Sequence, residues 1–286
     1  MHLLDSSSLR ALAWTGFALC AASAAISAQA VATPLVPAEI GVGDFLGSSV
    51  AYDADTAVAR SVDRVHVFER ADGSWSEVAS LIGSDVDSSF SFGREVDVSR
   101  DTLFVGAPNA TDGEGVRTGA VYVFTRVEGV WTETQKLLAS NGSPDDQFGF
   151  AVSVHDDRAI VGAPGRNSFG PDAGAAYVFR RQAEGWVEDA ALVADDPAPE
   201  DLLGYSVAIR AGYALAGAPG KSLAWPRQGA TYLFELDHQL EWVQDLRMLS
   251  RNPQAFAEFG SSVSATESHF VVSAPLEDNT DRKSVV

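Results

Sequence analysis

The groups most able to do chemistry in this chain are carboxylates that fall close together: Asp85 and Asp87, Asp145 and Asp146, Asp195 and Asp196, Glu200 and Asp201. Such clusters offer hard oxygen ligands to a divalent cation or a complementary field to a basic partner, and they serve equally well as solvated loop surface. Gly220-Lys221-Ser222 has the ending of a phosphate-binding loop, but Leu215 stands where the first glycine is needed and no helical pattern follows. His66, His155, His238 and His269 show no H-E-x-x-H or other ligand spacing, and no G-x-S-x-G nucleophile elbow occurs. Trp225 and Arg227 are the aromatic and cationic side chains set apart from the regular pattern described below.

Acidic residues outnumber basic ones by 39 to 20, a formal charge of -19, which excludes a nucleic-acid partner needing a Lys/Arg footprint. With 46% hydrophobic residues in 286, the chain has ample material for a core. The lone cysteine, Cys20, leaves no disulfide framework and no thiolate metal centre. Residues 1–30 read as a secretory signal: a basic residue at Arg10, an apolar run from Ala11 to Ile26, and Ala28-Gln29-Ala30 as a cleavage pattern. A lipoprotein anchor on Cys20 is the rival, with Leu19 bulkier than such a signal usually tolerates. The apolar run is too short for a membrane span, which needs about 20 residues, so the expectation is an exported acidic protein, extracellular or at the cell surface, or periplasmic in a bacterium, with no membrane span after signal removal.

The elements that must position these groups recur. Leu46-Gly47, Phe92-Gly93, Phe148-Gly149, Leu203-Gly204 and Phe259-Gly260 have glycine spacings of 46, 56, 55 and 56. Thirteen residues after each of the last four glycines come Gly106-Ala107-Pro108, Gly162-Ala163-Pro164, Gly217-Ala218-Pro219 and Ser273-Ala274-Pro275. Gly119-Ala120-Val121-Tyr122-Val123-Phe124 follows, repeated from Gly174 to Phe179 and from Gly229 to Phe234, and one tryptophan closes each unit: Trp75, Trp131, Trp186, Trp242. The hydrophobic period within a unit is two, so the segments are short strands. The first is expected to begin at Phe-Gly, the second to end at Gly-Ala-Pro where proline lacks an N–H, the third to be Ala-x-Tyr-x-Phe, and the fourth to run from Trp. Four antiparallel strands apolar on both faces need neighbours on both sides, which predicts an all-β fold, a β-propeller of four-stranded blades. The blades lie near 44–80, 90–138, 146–193 and 202–249, with a partial one at 257–280, about four and a half repeats within 31–280. The glycine after each Phe serves either close approach between blades or a turn at a strand start. The register tryptophans read as core.

This marker set resembles the FG-GAP repeat, the blade unit of the integrin alpha-subunit propeller, over roughly residues 44 to 275. The resemblance implies an extracellular binding or adhesion scaffold without catalysis. It also implies calcium sites in D-x-D-x-D-G loops, but here Ser99-Arg100-Asp101, His155-Asp156-Asp157 and Arg210-Ala211-Gly212 are tight turns, so no cofactor is expected. Arg70-Ala71-Asp72-Gly73-Ser74-Trp75 resembles a sialidase aspartate box short of one residue, and reads as a hairpin turn. The first repeat has Arg60-Ser61-Val62 in place of Gly-Ala-Pro and lacks ten residues, hence a loop.

In up-and-down blades the second-to-third connections and the links between blades emerge on one face. The long segments fall there: 109–118, 165–173 and 220–228 within blades, 140–147 and 195–202 between them. That face is the expected docking surface for an extracellular protein or glycan, with Trp225, Arg227, Asp145 and Asp201 within reach of the partner. Replacing 220–228 and 195–202 by Gly/Ser is expected to abolish binding and spare stability. The competing class is the propeller portion of a secreted polysaccharide- or lipid-degrading enzyme. Asn109-Ala110-Thr111 and Asn141-Gly142-Ser143 fit the glycosylation sequon. The last repeat stops after Ser273-Ala274-Pro275, reading as a fragment of a larger ring, and residues 281–286 read as a non-native tail.

Overall fold

The computed structural model describes residues 34–277 except 40, 42, 88 and 267. The expected signal segment and the final six residues lie outside the described residues. Four sheets follow one another along the chain, each a simple antiparallel meander. The first comprises Val50–Asp53 (β1), Thr56–Arg60 (β2), Val65–Ala71 (β3) and Ser74–Leu81 (β4). The second holds Val96–Ser99 (β5), Thr102–Ala107 (β6), Ala120–Val127 (β7) and Val130–Leu137 (β8). The third holds Ala151–His155 (β9), Arg158–Ala163 (β10), Ala175–Gln182 (β11) and Gly185–Leu192 (β12). Ser206–Arg210 (β13), Tyr213–Ala218 (β14), Ala230–Leu236 (β15) and Trp242–Met248 (β16) make the fourth, and Val263–Ala265 (β17) pairs with Phe270–Val272 (β18). No helix among the described residues is long and apolar enough to cross a membrane.

The alternation explains why the sheets stack as blades. Along β6, Leu103 and Val105 point into one apolar cluster, shared with Val58 and Val65 of the first sheet, whereas Phe104 points into another, shared with Val152 and Val161 of the third. Successive side chains on a strand leave opposite faces, so a strand buried on both sides must be sandwiched between two neighbouring sheets. β1, β5, β9, β13 and β17 are neighbours in order and form the inner margin of the stack. The fourth strands are outermost, and β4 alternates exposed with half-buried positions. All four sheets carry a bulge between the third and fourth strands, at Val67/Phe68, Val123/Phe124, Val178/Phe179 and Leu233/Phe234. A bulge at one register strengthens the local twist in every blade alike.

The Phe-Gly pairs do not open the first strands. β9 starts at Ala151, and Phe148-Gly149 lies ahead of it in a turn with Gly149 at φ 89°. Phe148 N–H donates to Thr118 of the preceding blade at 3.0 Å, and Phe148 forms an isolated parallel bridge with Gly119. Leu203 and Phe259 repeat this bond to Ala173 and Gln228 at 3.1 Å. The motif thus joins two blades: the N–H of its first residue is clasped to the previous blade, while the Gly149 N–H donates to the Gly162 carbonyl of its own blade at 3.1 Å. Its glycine meets both expectations at once, the turn and the close approach. The Phe148 ring is buried edge-on against Tyr177 and Phe179, with centroids 5.5 and 5.9 Å apart.

Candidate functional site: the long-loop face

The loops within blades and the links between them do pack together at one end of the stack. Asp145 N–H donates to the Arg117 carbonyl at 2.7 Å, joining the link after the second blade to that blade's own loop. Glu200 N–H reaches the Pro171 carbonyl at 2.8 Å, and Phe256 N–H the Pro226 carbonyl at 2.8 Å. The opposite face carries two-residue turns at 54–55, 100–101, 156–157 and 211–212.

Most of the loop carboxylates are spent internally. Each link residue one blade ahead of a buried tyrosine accepts its hydroxyl: Asp85 from Tyr122 at 2.6 Å, Asn141 from Tyr177 at 2.8 Å, Asp196 from Tyr232 at 2.7 Å. Burial pushes the Tyr177 phenol up to about 12, and burial and the Asp196 carboxylate push Tyr232 well above its ordinary value. Lys136 pairs with Asp85 at 2.6 Å, and Arg247 with Asp196. Deeper still, Asp146 binds Arg166 at 2.7 Å and Asp201 binds Lys221 at 2.8 Å. Asp201 is 3% and Lys221 2% exposed. Burial, resisted by the Lys221 ammonium, holds the Asp201 carboxyl above the usual range.

Of the four residues expected at a contact surface, Asp201 is therefore a buried strut. Arg227 is half-buried and bridged to Glu258 at 2.9 Å, Asp145 is exposed, and Trp225 is 51% exposed. The expectation that loops 220–228 and 195–202 can be replaced without cost fails, because that exchange removes both ends of the Lys221–Asp201 pair. Sequence reasoning missed Arg166 and weighed Lys221 only as the end of a phosphate loop; each stands four residues past a Gly-Ala-Pro glycine, matched by Asp146 and Asp201 three residues before the Phe-Gly or Leu-Gly glycine of the same blade. That register was the available signal.

Other exposed apolar groups on the loops of this face were not singled out from the sequence. Phe169 and Phe256 are 50% and 54% exposed, and Leu223 is also exposed. The loops are braced on one another, with Gly170 against Pro199 and the Gly220 N–H donating to the Asp201 carbonyl at 3.1 Å, and within its own loop the Trp225 N–H donates to Gln228 Oε1 at 2.8 Å. Arg227 N–H is held by Ser222 Oγ at 2.9 Å. A rigid loop thus presents an exposed aromatic side chain next to a neutralised arginine.

The register tryptophans split. Trp131 and Trp186 are buried, the latter edge-on to Phe104 at 4.9 Å, while Trp75 and Trp242 are half-buried under Arg70 and Arg158. Arg70 to Trp75 is a hairpin turn, with Asp72 and Gly73 at φ 51° and 78°. The turns where integrin-type repeats carry calcium do not fit the ion: Asp55, Asp101 and Asp156 are bound to Arg70, Arg126 and Arg100, and two residues cannot wrap a cation needing six or more oxygens.

The FG-GAP repeat model matches residues 75–124, 131–179 and 186–234. Each matched segment starts on the fourth strand of one blade and ends on the third strand of the next, so it carries one motif dipeptide, Phe92-Gly93, Phe148-Gly149 or Leu203-Gly204, and the Gly-Ala turn that opens its last strand. Integrin alpha-6 of Homo sapiens is 31% identical over 132 residues, 44% of this chain and 11% of that protein. Integrin alpha-2 of Bos taurus is 30% identical over 146 residues, 46% of this chain and 12% of that protein. The matched stretch is thus a small part of either relative. A solved structure of a protein from Lactobacillus plantarum aligns at a TM-score of 0.45 and 13% identity over 71% of this chain and 55% of its own, too loosely to bear on the fold. With three successive matched segments, joined to one another by the clasps at Phe148 and Leu203, this chain belongs to the FG-GAP repeat family and folds as integrin-alpha-type β-propeller blades.

Proposed function

We propose that this is an exported recognition module that docks an extracellular protein on its long-loop face and has no catalysis of its own. The observation that carries the reading is the half-exposed Trp225, held on a braced loop that also exposes Leu223 and that binds, through the Pro226 carbonyl, the link carrying exposed Phe256. Exposed aromatic anchors on a rigid support are the groups that supply most binding energy in protein interfaces. Exposed apolar groups on two loops bonded to each other suit a protein better than a sugar chain, and the -19 charge with exposed Asp145, Asp195 and Glu200 favours a partner with a basic rim. Arg227 and Asp145 flank the contact, and Asp201 holds the loop from beneath. Similarity to integrin alpha chains supports a role in recognition.

Surface plasmon resonance of the full chain against a panel of purified extracellular proteins tests the reading. Saturable binding of at least one protein, weakened at least about tenfold by Trp225→Ala, is expected. A panel without any binder, or a binder indifferent to Trp225→Ala and Phe256→Ala, overturns it. Binding confined to glycans would assign the face to sugars instead.

A further inference from the structure

On the opposite face, a cavity of about 790 Å³ opens along the inner margin of the blades. Its mouth is formed by one register position repeated through the first strands, three residues after Val50, Val96, Val152, Val207 and Val263: Asp53, Ser99, His155, Arg210 and Thr266. One step deeper, at the residue after the last four of these valines, stand Asp97, Ser153, Ala208 and Ser264. Val96, Val152, Val207 and Val263 turn into the inter-blade cores, so the alternation of β5, β9 and β17 aims polar groups at the cavity.

The strand and turn markers keep residue type in register, whereas the mouth position is a carboxylate, a hydroxyl, an imidazole, a guanidinium and a hydroxyl in turn. The wall also has an aromatic member, Tyr52. Among the lining residues five carboxylates stand against four guanidiniums, so the cavity is close to neutral in a chain of charge -19. Three of those carboxylates, Asp55, Glu69 and Asp156, are bound to Arg70, Arg126 and Arg100, and Asp97 accepts the Val154 N–H at 2.8 Å. The framework is therefore pre-set rather than waiting for a counter-ion.

We infer that this cavity binds a neutral polyhydroxylated ligand, a short saccharide, independently of the loop face. Three features point there. The volume falls in the range of about 300–1,000 Å³ usual for small-ligand sites. The mouth mixes an acceptor at Asp53, a donor at Arg210 and groups of both kinds at Ser99, His155 and Thr266, which suits hydroxyl groups that are each donor and acceptor at once. The balanced charge gives no advantage to an ion of either sign.

Saturation-transfer NMR and calorimetry on the full chain test this, with glucose, cellobiose and maltotriose as probes and glucuronate and glucosamine as charged comparators. The expected result is saturable binding of at least one neutral sugar, weakened at least tenfold by His155→Ala or Arg210→Gln and unchanged by Trp225→Ala. The last arm separates this site from the loop face. No binding of any neutral probe, preference for a charged comparator, or affinity indifferent to His155→Ala overturns the inference. Where Arg210→Gln lowers the unfolding midpoint, His155→Ala alone decides.

Discussion

Gly106 of the second blade lies under the carbonyl of Gly149 in the third so closely that a Cβ on Gly106 would sit inside the van der Waals radius of that oxygen. Gly162 stands in the same relation to Gly204, and Gly217 to Gly260. The two glycines that mark the repeat are therefore two sides of one contact, and the clasp between blades exists because neither has a side chain. In the first blade Arg60 occupies the place of Gly106 and packs its stem against Gly93, with its Nε buried and without a hydrogen-bond partner.

Gly106→Ala or Gly162→Ala should then lower stability by about 1–3 kcal/mol, as overpacking against fixed backbone does. Gly113→Ala, with open space around it, should stay within about 0.5 kcal/mol of the parent. Urea unfolding of the three variants decides; equal midpoints for Gly106→Ala and Gly113→Ala would remove the clasp from the account.

Phe148→Ala deletes a fully buried ring between the second and third blades and is expected to cost about 3–5 kcal/mol. Phe179→Ala, in the same cluster, belongs to the same range. A change within error in denaturant unfolding would take these rings out of the core.

The Asp201–Lys221 pair has an apolar counterpart in the second blade, where the same register positions hold Phe90 and Ala110 in one cluster. Lys221→Ala alone leaves a buried carboxylate and should cost about 3–5 kcal/mol. The double variant Asp201→Phe, Lys221→Ala copies the second blade and should be more stable than Lys221→Ala alone. Additive losses in thermal unfolding would show that the pair is irreplaceable.

Acid should weaken the loop frame. Burial works to raise the Asp196 carboxyl, but the Tyr232 hydroxyl, Lys221 and Arg247 outweigh it and hold the carboxyl below its ordinary value; Asp85 is held down likewise by Lys136 and Tyr122. A carboxyl depressed in the fold stabilises above its unfolded value, about 3.9, and that contribution is lost as pH falls through the folded one. The unfolding midpoint should drop below about pH 4, and Asp196→Asn should flatten that drop. Asp201, raised by burial, has the opposite sign, so Asp201→Asn should leave the acid limb in place. An acid limb unaltered by Asp196→Asn would contradict the assignment.

The strands and their order were legible because period-two patterning and the Gly-Ala-Pro stops are local: β6 ends at Ala107 ahead of Pro108, and β7 opens at Ala120 as the Tyr-x-Phe run requires. The two long-loop classes were placed on one face by topology alone. The Phe-Gly clasp was misread as a strand start because its partners, Thr118 and Gly119, belong to the preceding blade. The ion pairs beneath the loops were illegible for the same reason: Asp201 and Lys221 are 20 residues apart and meet only when a link folds against the loop of the next blade. Trp225 stood out as a break in register, whereas Phe169 and Phe256 became visible only as exposed surface.

Hydrogen-exchange footprinting of the full chain, free and saturated with an extracellular protein that binds it, tests the central claim most directly. The account predicts protection in 165–173, 195–202, 219–228 and 250–258, with the turns at 54–55, 100–101 and 156–157 unchanged. Protection of those turns, with the Trp225 loop exchanging as in the free chain, would contradict it and place recognition on the opposite face.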